Sequence, residues 1–438
     1  MNVFRTVSEL LFRESLVRDS LGTAILRVVN VGAAFGLAVV LARGLGPAGY
    51  GAYSFAFAIT SLIALPAQMG VPTLIVRELA RYRALSEWGL LKGAIQRLTQ
   101  VVLVASVVMI FVALFSIAIW RISSGNRAED VLIPALLLAP FIALGNVFDA
   151  SLRGLGHVLV GQIPTPVIRP MLAAIILASV FGFSDEFSLP TTAMWVHVCA
   201  AILACIISVA FLSRVLPRQV KEATTRTETR VWLRSVLPLS IITGANVIHD
   251  QADVLLLGIF RESTEVGLYR GAIQISLLVS FGLYVANKAL APRYASMWAR
   301  GDLEALQRLC TRSTRYIFLI AAILILLLGA FGSDVLGIAF GDAFASAYPA
   351  MIILAAGQLF AALAGSAALI LNMVGQETAT MKSFGLSVIL NVVFNLMLIP
   401  DYGAIGAAIS TAASILVGRI FLLYWLRTTV GIRGSLFG

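Results

Sequence analysis

The apolar stretch SIITGANVIHDQADVLLLGIF (240–260) contains several polar and ionisable side chains. Asn246, His249, Asp250 and Asp253 are spaced i, i+3, i+4 and i+7, so on an α-helix they fall within an arc of about 100°. Two carboxylates on one helix face can hold a proton or a cation. We therefore expect Asp250 and Asp253 to take part in ion coupling, with H⁺ or Na⁺ as the candidates.

Arginine and amide side chains occur in other apolar stretches. Arg27 and Asn30 are three residues apart in the first stretch, and Arg270 and Gln274 are four apart in another. A charged side chain at the centre of a membrane helix costs about 2.5–3.5 kcal/mol on insertion scales, so such residues usually face a polar interior. Arg27 lies near the start of its stretch, so it could instead snorkel to the interface.

A further polar face lies in the stretch around residue 149. Asn146, Asp149 and Arg153 are spaced i, i+3 and i+7. Asp149 and Arg153 have the spacing of an ion pair that joins neighbouring helices, whereas Asp149 is also a candidate for ion coupling. Both interpretations stay open at this point.

The composition explains why these charges stand out. The chain has 438 residues, of which 59% are hydrophobic and 12% charged, and its mean hydropathy is +0.94. A soluble protein of this size could not cover its surface with so few charges. The composition predicts a multi-pass membrane protein.

Runs of the length that crosses a bilayer, about 20 residues, recur along the whole chain. We predict twelve spans, at about 21–42, 48–72, 98–120, 131–152, 167–183, 190–213, 235–260, 266–290, 316–333, 348–373, 383–400 and 404–427. The predicted fold class is an all-α polytopic membrane protein with about twelve transmembrane helices in two pseudo-symmetric six-helix bundles around a central cavity.

Basic residues fix the expected orientation. With the N-terminus inside, the cytoplasmic segments hold 24 of the 32 lysine and arginine residues. Both termini are therefore expected in the cytoplasm. The net charge of +10 is spread over loops that face an anionic leaflet, so nucleic acid is not an expected partner.

The two halves of the chain resemble each other. A shift of 216 residues places Asn30 on Asn246, Gly51 on Gly267 and, among other matches, Tyr53 on Tyr269. Both halves would run in the same direction, because six spans are an even number. Parallel repeats of this kind occur in transporters that rock one half against the other.

The repeat gives a predicted domain organisation. We expect an amphipathic cytoplasmic helix at 1–20, an N-lobe at 21–213, a cytoplasmic linker at 214–234, and a C-lobe with a short cytoplasmic tail at 235–438.

The sequence contains no pattern that indicates catalysis. It has no His/Cys/Asp/Glu cluster with metal-ligand spacing and no nucleophile elbow, and the glycine-rich GLGPAGYG (44–51) is a short outside turn between two spans. We expect no enzyme activity, no resident cofactor and no metal centre.

Four segments, in order, resemble the polysaccharide transporter family, the Wzx-type lipid-linked oligosaccharide flippases of the multidrug/oligosaccharidyl-lipid/polysaccharide exporter superfamily. These segments are LARGLGPAGYGAYSFAF (41–57) with its continuation to residue 82, DVLLLGIFRESTEVGLYRGAIQI (253–275), APRYASMWARGDLEALQRLCTRSTRY (291–316) and NVVFNLMLIPDYGAIGAAISTAAS (391–414). One departure is Ala48, where the family commonly has an acidic residue.

The resemblance implies a bacterial inner-membrane flippase that moves a polyprenyl-diphosphate-linked oligosaccharide, such as an O-antigen, lipopolysaccharide or exopolysaccharide unit, to the outer leaflet. The family's basic residues in the first and eighth spans, here Arg27 and Arg270, would attract the diphosphate. Asn30, Asn246 and Gln274 would hydrogen-bond the sugar or phosphate. Other expected partners are membrane lipids and the glycosyltransferase and polymerase machinery.

Two other functions stay open. A cation-coupled multidrug antiporter of the same superfamily would bind cationic drugs in an acidic cavity, and Asp149, Asp250 and Asp253 fit that function. A membrane glycan polymerase or ligase would carry a large outside loop, whereas the longest outside loops predicted here, around 121–130 and 334–347, are short.

Overall fold

The backbone of this computed structural model is described for residues 2–68, 70–124, 131–183 and 188–434. Within these ranges, the side chains that are not described are those of residues 2–21, 24, 116–124, 237–238, 241–242 and 288–289.

The described residues form thirteen α-helices and no strand. The helices are α1 Asn2–Gln68, α2 Val71–Ala84, α3 Trp88–Ser124, α4 Leu132–Gly154, α5 Arg169–Phe183, α6 Pro190–Val215, α7 Arg218–Glu222, α8 Thr229–Phe260, α9 Ser263–Ala299, α10 Leu303–Phe340, α11 Tyr348–Leu363, α12 Ala367–Met373 and α13 Glu377–Trp425. Short 3₁₀ or π-helical segments lie at Val160–Gln162, Pro164–Ile168, Asp342–Ala347 and Leu426–Val430.

Twelve membrane crossings follow from these helices. Among the described residues, nine stretches are long and apolar enough to cross a membrane. Ile25–Gln68 and Glu377–Val430 have 44 and 54 residues, at least twice the length of about 20 that one crossing needs, and each is broken at a non-helical glycine, Gly46 or Gly403. Each of these two therefore supplies two crossings, and the 32-residue α8 supplies another. The prediction of an all-α protein with about twelve spans is confirmed.

The two halves repeat the same opening hairpin. Gly46 interrupts α1 with φ 65° and ψ 179°. A shift of 216 residues places it on Glu262, which has φ −71° and ψ 154° and separates α8 from α9. The chain therefore leaves the helix at equivalent positions in both halves, as expected for pseudo-symmetric six-helix bundles.

The chain forms two compact units. The first comprises Met1–Gly44 and Ala56–Val247, and the second comprises Leu45–Phe55 and Ile248–Gly438. The short segment Leu45–Phe55 thus packs with the second unit, although its sequence belongs to the first repeat. The lobe limits given above stay a prediction.

The backbone is helical from residue 2 onward, and this helix continues into the first span. The side chains of residues 2–20 are outside the described ones, so the amphipathic surface position of 1–20 stays a prediction. The predicted outside loop around 121–130 also lies largely outside the described residues.

Two predicted spans are not single helices. The span predicted at 348–373 is divided at Gly365, which has φ +54° and abuts the side chain of Thr314. The span predicted at 167–183 begins within a π-helical turn at Pro164–Ile168, where two prolines remove backbone donors, and continues as α5.

The predicted linker packs against the first unit. The Lys92 ammonium donates to the carbonyl oxygens of Lys221 and Ala223 at 2.9 and 3.0 Å, and the Arg226 N–H donates to the Gly89 carbonyl at 3.0 Å. The segment between the two halves is therefore fixed to the start of α3.

A buried aromatic pair fixes α2 to the start of α8. Tyr82 and Trp232 are 0% and 1% exposed, and the indole Nε1–H of Trp232 donates to the Tyr82 hydroxyl at 2.9 Å. The Tyr82 hydroxyl in turn donates to Glu228 Oε2 at 3.5 Å. Large buried aromatic residues of this kind dominate the energetics of a core.

We expect Trp232→Ala to lower the free energy of unfolding by about 3–5 kcal/mol, because the substitution leaves a large cavity and removes the donor to Tyr82. Thermal unfolding of the detergent-solubilised protein measures this effect. Trp195→Ala is the matched control, because Trp195 is 44% exposed on α6. Equal melting temperatures for the two variants would contradict the assignment.

Candidate transport site

Asp253 is the centre of a buried polar network in the second unit. The carboxylate is 7% exposed and accepts hydrogen bonds from four side chains. Tyr269 Oη and Thr411 Oγ1 donate to its Oδ2 at 2.7 and 2.5 Å, and Asn391 Nδ2 and Asn395 Nδ2 donate to its Oδ1 at 3.0 and 2.5 Å. We call these five residues the Asp253 network.

The helix positions explain how the network forms. Asn391 and Asn395 are four residues apart on α13, so both amides lie on the face that meets Asp253. Thr411 follows the break at Gly403 and returns on the second half of α13, and Tyr269 comes from α9. One carboxylate therefore joins three separate helical segments to α8.

Charged side chains from the α8–α9 hairpin cap the break in α13. Arg261 Nε donates to the Ile399 carbonyl at 3.2 Å, and the Ala404 N–H donates to Glu265 Oε2 at 3.1 Å. A carbonyl near the end of a helix carries partial negative charge, and an N–H at the start of a helix carries partial positive charge. The guanidinium of Arg261 therefore stabilises the helix end, and the carboxylate of Glu265 stabilises the helix start. The cap holds both halves of α13 in the register that the Asp253 network needs.

The Asp253 network has the ligand chemistry of a proton or alkali-cation site. Its members offer carboxylate, amide and hydroxyl oxygens, and Asn395 Oδ1 is a buried oxygen without a hydrogen-bond partner. Rotating the Asn395 amide would turn this oxygen towards Asp253, which is unfavourable beside an empty carboxylate and favourable beside a bound cation. Ion binding at this network stays a prediction.

Arg270 lies near this network on α9. It is half-buried, as is Gln274 one turn further along. Both side chains interact with the side chain of Tyr50, which is 2% exposed and also interacts with Ser54. Arg270 also interacts electrostatically with Asp250. The predicted pair Arg270 and Gln274 is therefore brought together.

The predicted stripe on α8 is divided between the units. Asn246 belongs to the first unit and is exposed, whereas His249, Asp250 and Asp253 belong to the second. Asp250 is exposed and interacts electrostatically with His249, Arg270 and Asp253, and the His249 ring packs edge-on against Phe384 at 5.4 Å between ring centroids. Asp250 and Asp253 thus differ in exposure, and the role of this pair in ion coupling stays a prediction.

The other predicted substrate-binding residues lie on α1. Arg27 is exposed and Asn30 is half-buried, and both belong to the first unit. Val28 and Val29, between them, are 51% and 41% exposed. The i, i+3 spacing places the two polar side chains on one side of this helix.

Asp149 has a different environment from the expected one. It is 3% exposed, and its carboxylate accepts from Ser208 Oγ at 2.6 Å and from the Thr165 N–H at 3.2 Å. Arg153 acts on it only electrostatically and forms no salt bridge with it. The contacts join α4, α6 and the π-helical turn before α5. The expected ion pair is therefore not formed, and a role of Asp149 in coupling stays a prediction.

Several residues of these networks were not singled out from the sequence. Asn391 and Asn395 stand i, i+4 in the otherwise apolar NVVFN, a spacing that does indicate a polar face. Tyr50, Tyr269 and Thr411 have no such signal, because a single hydroxyl in an apolar helix is common and its partner is distant in sequence.

Solved structures share the fold of this chain. An inward-facing multidrug resistance MATE family transporter of the MOP superfamily superposes with a TM-score of 0.74 at 16% identity, covering 93% of this chain and 98% of that one. The lipid II flippase MurJ, in an inward closed conformation, superposes with a TM-score of 0.70 at 12% identity, covering 94% and 88%. The chain has the twelve-helix fold of MOP-superfamily transporters.

The sequence assigns the family within that class. Residues 16–298 match the family described as "Polysaccharide biosynthesis protein", and the chain belongs to this family. This membership agrees with the polysaccharide family that the sequence motifs resemble.

Curated relatives are archaeal. The chain is 23% identical over 390 residues to "Uncharacterized membrane protein MJ1068" of Methanocaldococcus jannaschii, covering 84% of this chain and 75% of the relative. Two Haloferax volcanii proteins match over shorter ranges. They are "Probable low-salt glycan biosynthesis flippase Agl15", 23% identical over 42% of this chain and 39% of the relative, and "Probable flippase AglR", 27% identical over 39% and 37%.

We expect Thr411→Val to lower the free energy of unfolding by about 1–3 kcal/mol, because it keeps the side-chain shape and removes one donor to the Asp253 carboxylate. Thermal unfolding in detergent measures the change. The control is Thr428→Val, whose exposed hydroxyl donates only to the nearby Tyr424 and Trp425 carbonyls. If both variants unfold at the parent's temperature, Thr411 contributes nothing to the network.

Proposed function

We propose that the protein is a flippase that moves a polyprenyl-diphosphate-linked oligosaccharide from the cytoplasmic to the outer leaflet by alternating access. The proposal rests on family membership and on one observation above all, a half-buried guanidinium at Arg270 inside a membrane-spanning helix. A charged side chain at this depth usually serves transport, and an arginine fork suits a diphosphate. Two relatives named as glycan flippases support the same function.

Arg270 and Gln274 supply the binding chemistry in the second unit, and Arg27 with Asn30 supplies it in the first. The guanidinium groups attract the diphosphate, and the amides of Asn30, Asn246 and Gln274 hydrogen-bond the phosphate or the first sugar. The membrane is the cytoplasmic membrane, which in a bacterium is the inner one, with both termini inside. The substrate is a polysaccharide, lipopolysaccharide or O-antigen repeat unit, supplied by glycosyltransferases and used by a polymerase.

Ion coupling is assigned to the Asp253 network. A bound H⁺ or Na⁺ would neutralise the carboxylate and change the bonds that join α8 to α9 and to both halves of α13. An ion gradient could then bias the equilibrium between conformations, because an ion that prefers one conformation shifts the population towards it. The protein acts as a transporter and has no catalytic step.

Replacing both arginines tests the substrate assignment. We expect Arg27→Ala combined with Arg270→Ala to abolish surface-glycan export and to cause lipid-linked precursor to accumulate, because both attractions for the diphosphate are lost. Lipid extracts and surface-glycan staining measure the two effects at matched protein levels. Arg300→Ala serves as the control, since Arg300 is exposed and bonds only to Ser296 in its own helix turn. Unchanged export in the double variant would overturn the assignment.

Replacing the carboxylate of the network tests coupling. We expect Asp253→Asn to reduce the stimulation of transport by an imposed H⁺ or Na⁺ gradient by roughly 5- to 150-fold, the range of typical coupling free energies. Transport into proteoliposomes with each gradient applied separately measures this and identifies the ion. Asp334→Asn is the control, because Asp334 is an exposed carboxylate near the C-terminal end of α10 and is not a member of the Asp253 network. A variant that still responds like the parent would exclude Asp253 as the coupling site.

The second candidate is a cation-coupled multidrug antiporter. The fold similarity to a MATE transporter and the buried Asp253 carboxylate favour it. A deletion strain distinguishes the two functions. Loss of surface glycan with unchanged drug susceptibility supports the flippase, whereas increased drug susceptibility with normal glycan supports the antiporter.

A further inference from the structure

Two glycines bring the first and second repeats into backbone contact within the second unit. A Cβ added to Gly51 would lie 2.8 Å from the amide nitrogen of Gly267 and against the Ser263 carbonyl. A Cβ added to Gly267 would lie 3.0 Å from the amide nitrogen of Gly51 and against the Pro47 carbonyl. Any larger side chain would push the two segments apart, because small residues are what allow membrane helices to approach this closely.

This glycine crossing has the symmetry of the repeat. The shift of 216 residues takes Pro47 to Ser263 and Gly51 to Gly267, so each half contributes the same pair of positions to the contact. The crossing thus fixes the register of Leu45–Phe55 against the start of α9.

The register places Tyr50 against Arg270. Tyr50 precedes Gly51, and Arg270 follows Gly267 by three residues, less than one helical turn. The Tyr50 ring is 2% exposed and packs against Phe344 at 6.2 Å between ring centroids. Its hydroxyl is left to interact with Arg270, Gln274 and Ser54.

We propose that Tyr50 is a positioning residue for diphosphate recognition, which it supports by holding the Arg270 guanidinium in place through its buried hydroxyl. The proposal rests on the proposed function, because it assigns a supporting residue to the same site. A hydroxyl oxygen that accepts from one guanidinium N–H would leave the remaining donors for the ligand. A side chain fixed in its binding geometry loses less freedom on binding, and the affinity rises accordingly.

The contact with Tyr50 also sets the side-chain conformation of Arg270. Arg270 is a long side chain with many rotamers, and its other described interactions, with Asp250 and Tyr269, are electrostatic and set no direction. Tyr50 supplies that direction, because its ring is fixed by Phe344 and by the glycine crossing. Gln274, on the same face of α9, shares the hydroxyl and completes the cluster.

Binding of farnesyl diphosphate to the full-length detergent-solubilised protein tests the proposal, with farnesol as the probe that lacks the diphosphate. Titration calorimetry on the parent, Tyr50→Phe, Arg270→Ala and the double variant gives a double-mutant cycle. Tyr294→Phe is the matched control, because Tyr294 is a buried tyrosine of the same unit whose hydroxyl bonds to Ser313. Melting temperatures of all variants are measured in parallel.

We expect Tyr50→Phe to weaken farnesyl diphosphate binding roughly tenfold at a melting temperature close to that of Tyr294→Phe, and to have no further effect once Arg270 is alanine. Gly267→Ala, which keeps the hydroxyl and displaces its helix, should weaken binding similarly, whereas Gly329→Ala, where an added methyl meets nothing within 4 Å, should not.

Two results would overturn the role of Tyr50: parent-like affinity in Tyr50→Phe while Arg270→Ala loses binding, or an equal loss from Tyr50→Phe in both backgrounds. Failure of the proposed function looks different. In that case the parent shows no preference for farnesyl diphosphate over farnesol, or Arg270→Ala binds as the parent does.

Discussion

The second unit depends on a single buried carboxylate and the donors that surround it. Asp253 is 7% exposed and accepts four hydrogen bonds from α9 and both halves of α13. A buried acceptor that loses its donors is costly, so this residue and its partners constrain each other's positions. Helices that lack a hydrophobic driving force between them in lipid are thus joined by a polar contact.

The break in α13 is what makes this network geometrically possible. Asn391 and Asn395 precede Gly403 and Thr411 follows it, so a straight helix would carry Thr411 far from the two amides. Arg261 and Glu265 meet the backbone groups released at the break. The hairpin that supplies Asp253 and Tyr269 therefore also holds the hairpin that supplies their partners.

The two halves match at some positions of the repeat and differ at others. At the glycine crossing both halves contribute equivalent residues, Gly51 and Gly267, to one contact. The polar residues correspond only in part. Asn246 matches Asn30, whereas the residue that matches Asp253 under the same shift is Leu37, which is buried and apolar. The duplication thus supplies a common scaffold, and the Asp253 carboxylate has no counterpart at the matching position of the first half.

The sequence by itself determined the class of protein, the approximate positions of twelve apolar spans, the repeat and the presence of polar faces, because each of these depends on composition or on periodicity within one helix. It also placed Asp253, Arg270 and Gln274 among the functional candidates. Only the tertiary structure decided their partners. Tyr50, Asn391 and Thr411 lie far from these residues in sequence, and hydrogen bonds between distant helices leave no periodic trace. The structure likewise decided that Asp253 is buried and Asp250 exposed, because a helix face is wide enough for two neighbouring carboxylates to differ in burial.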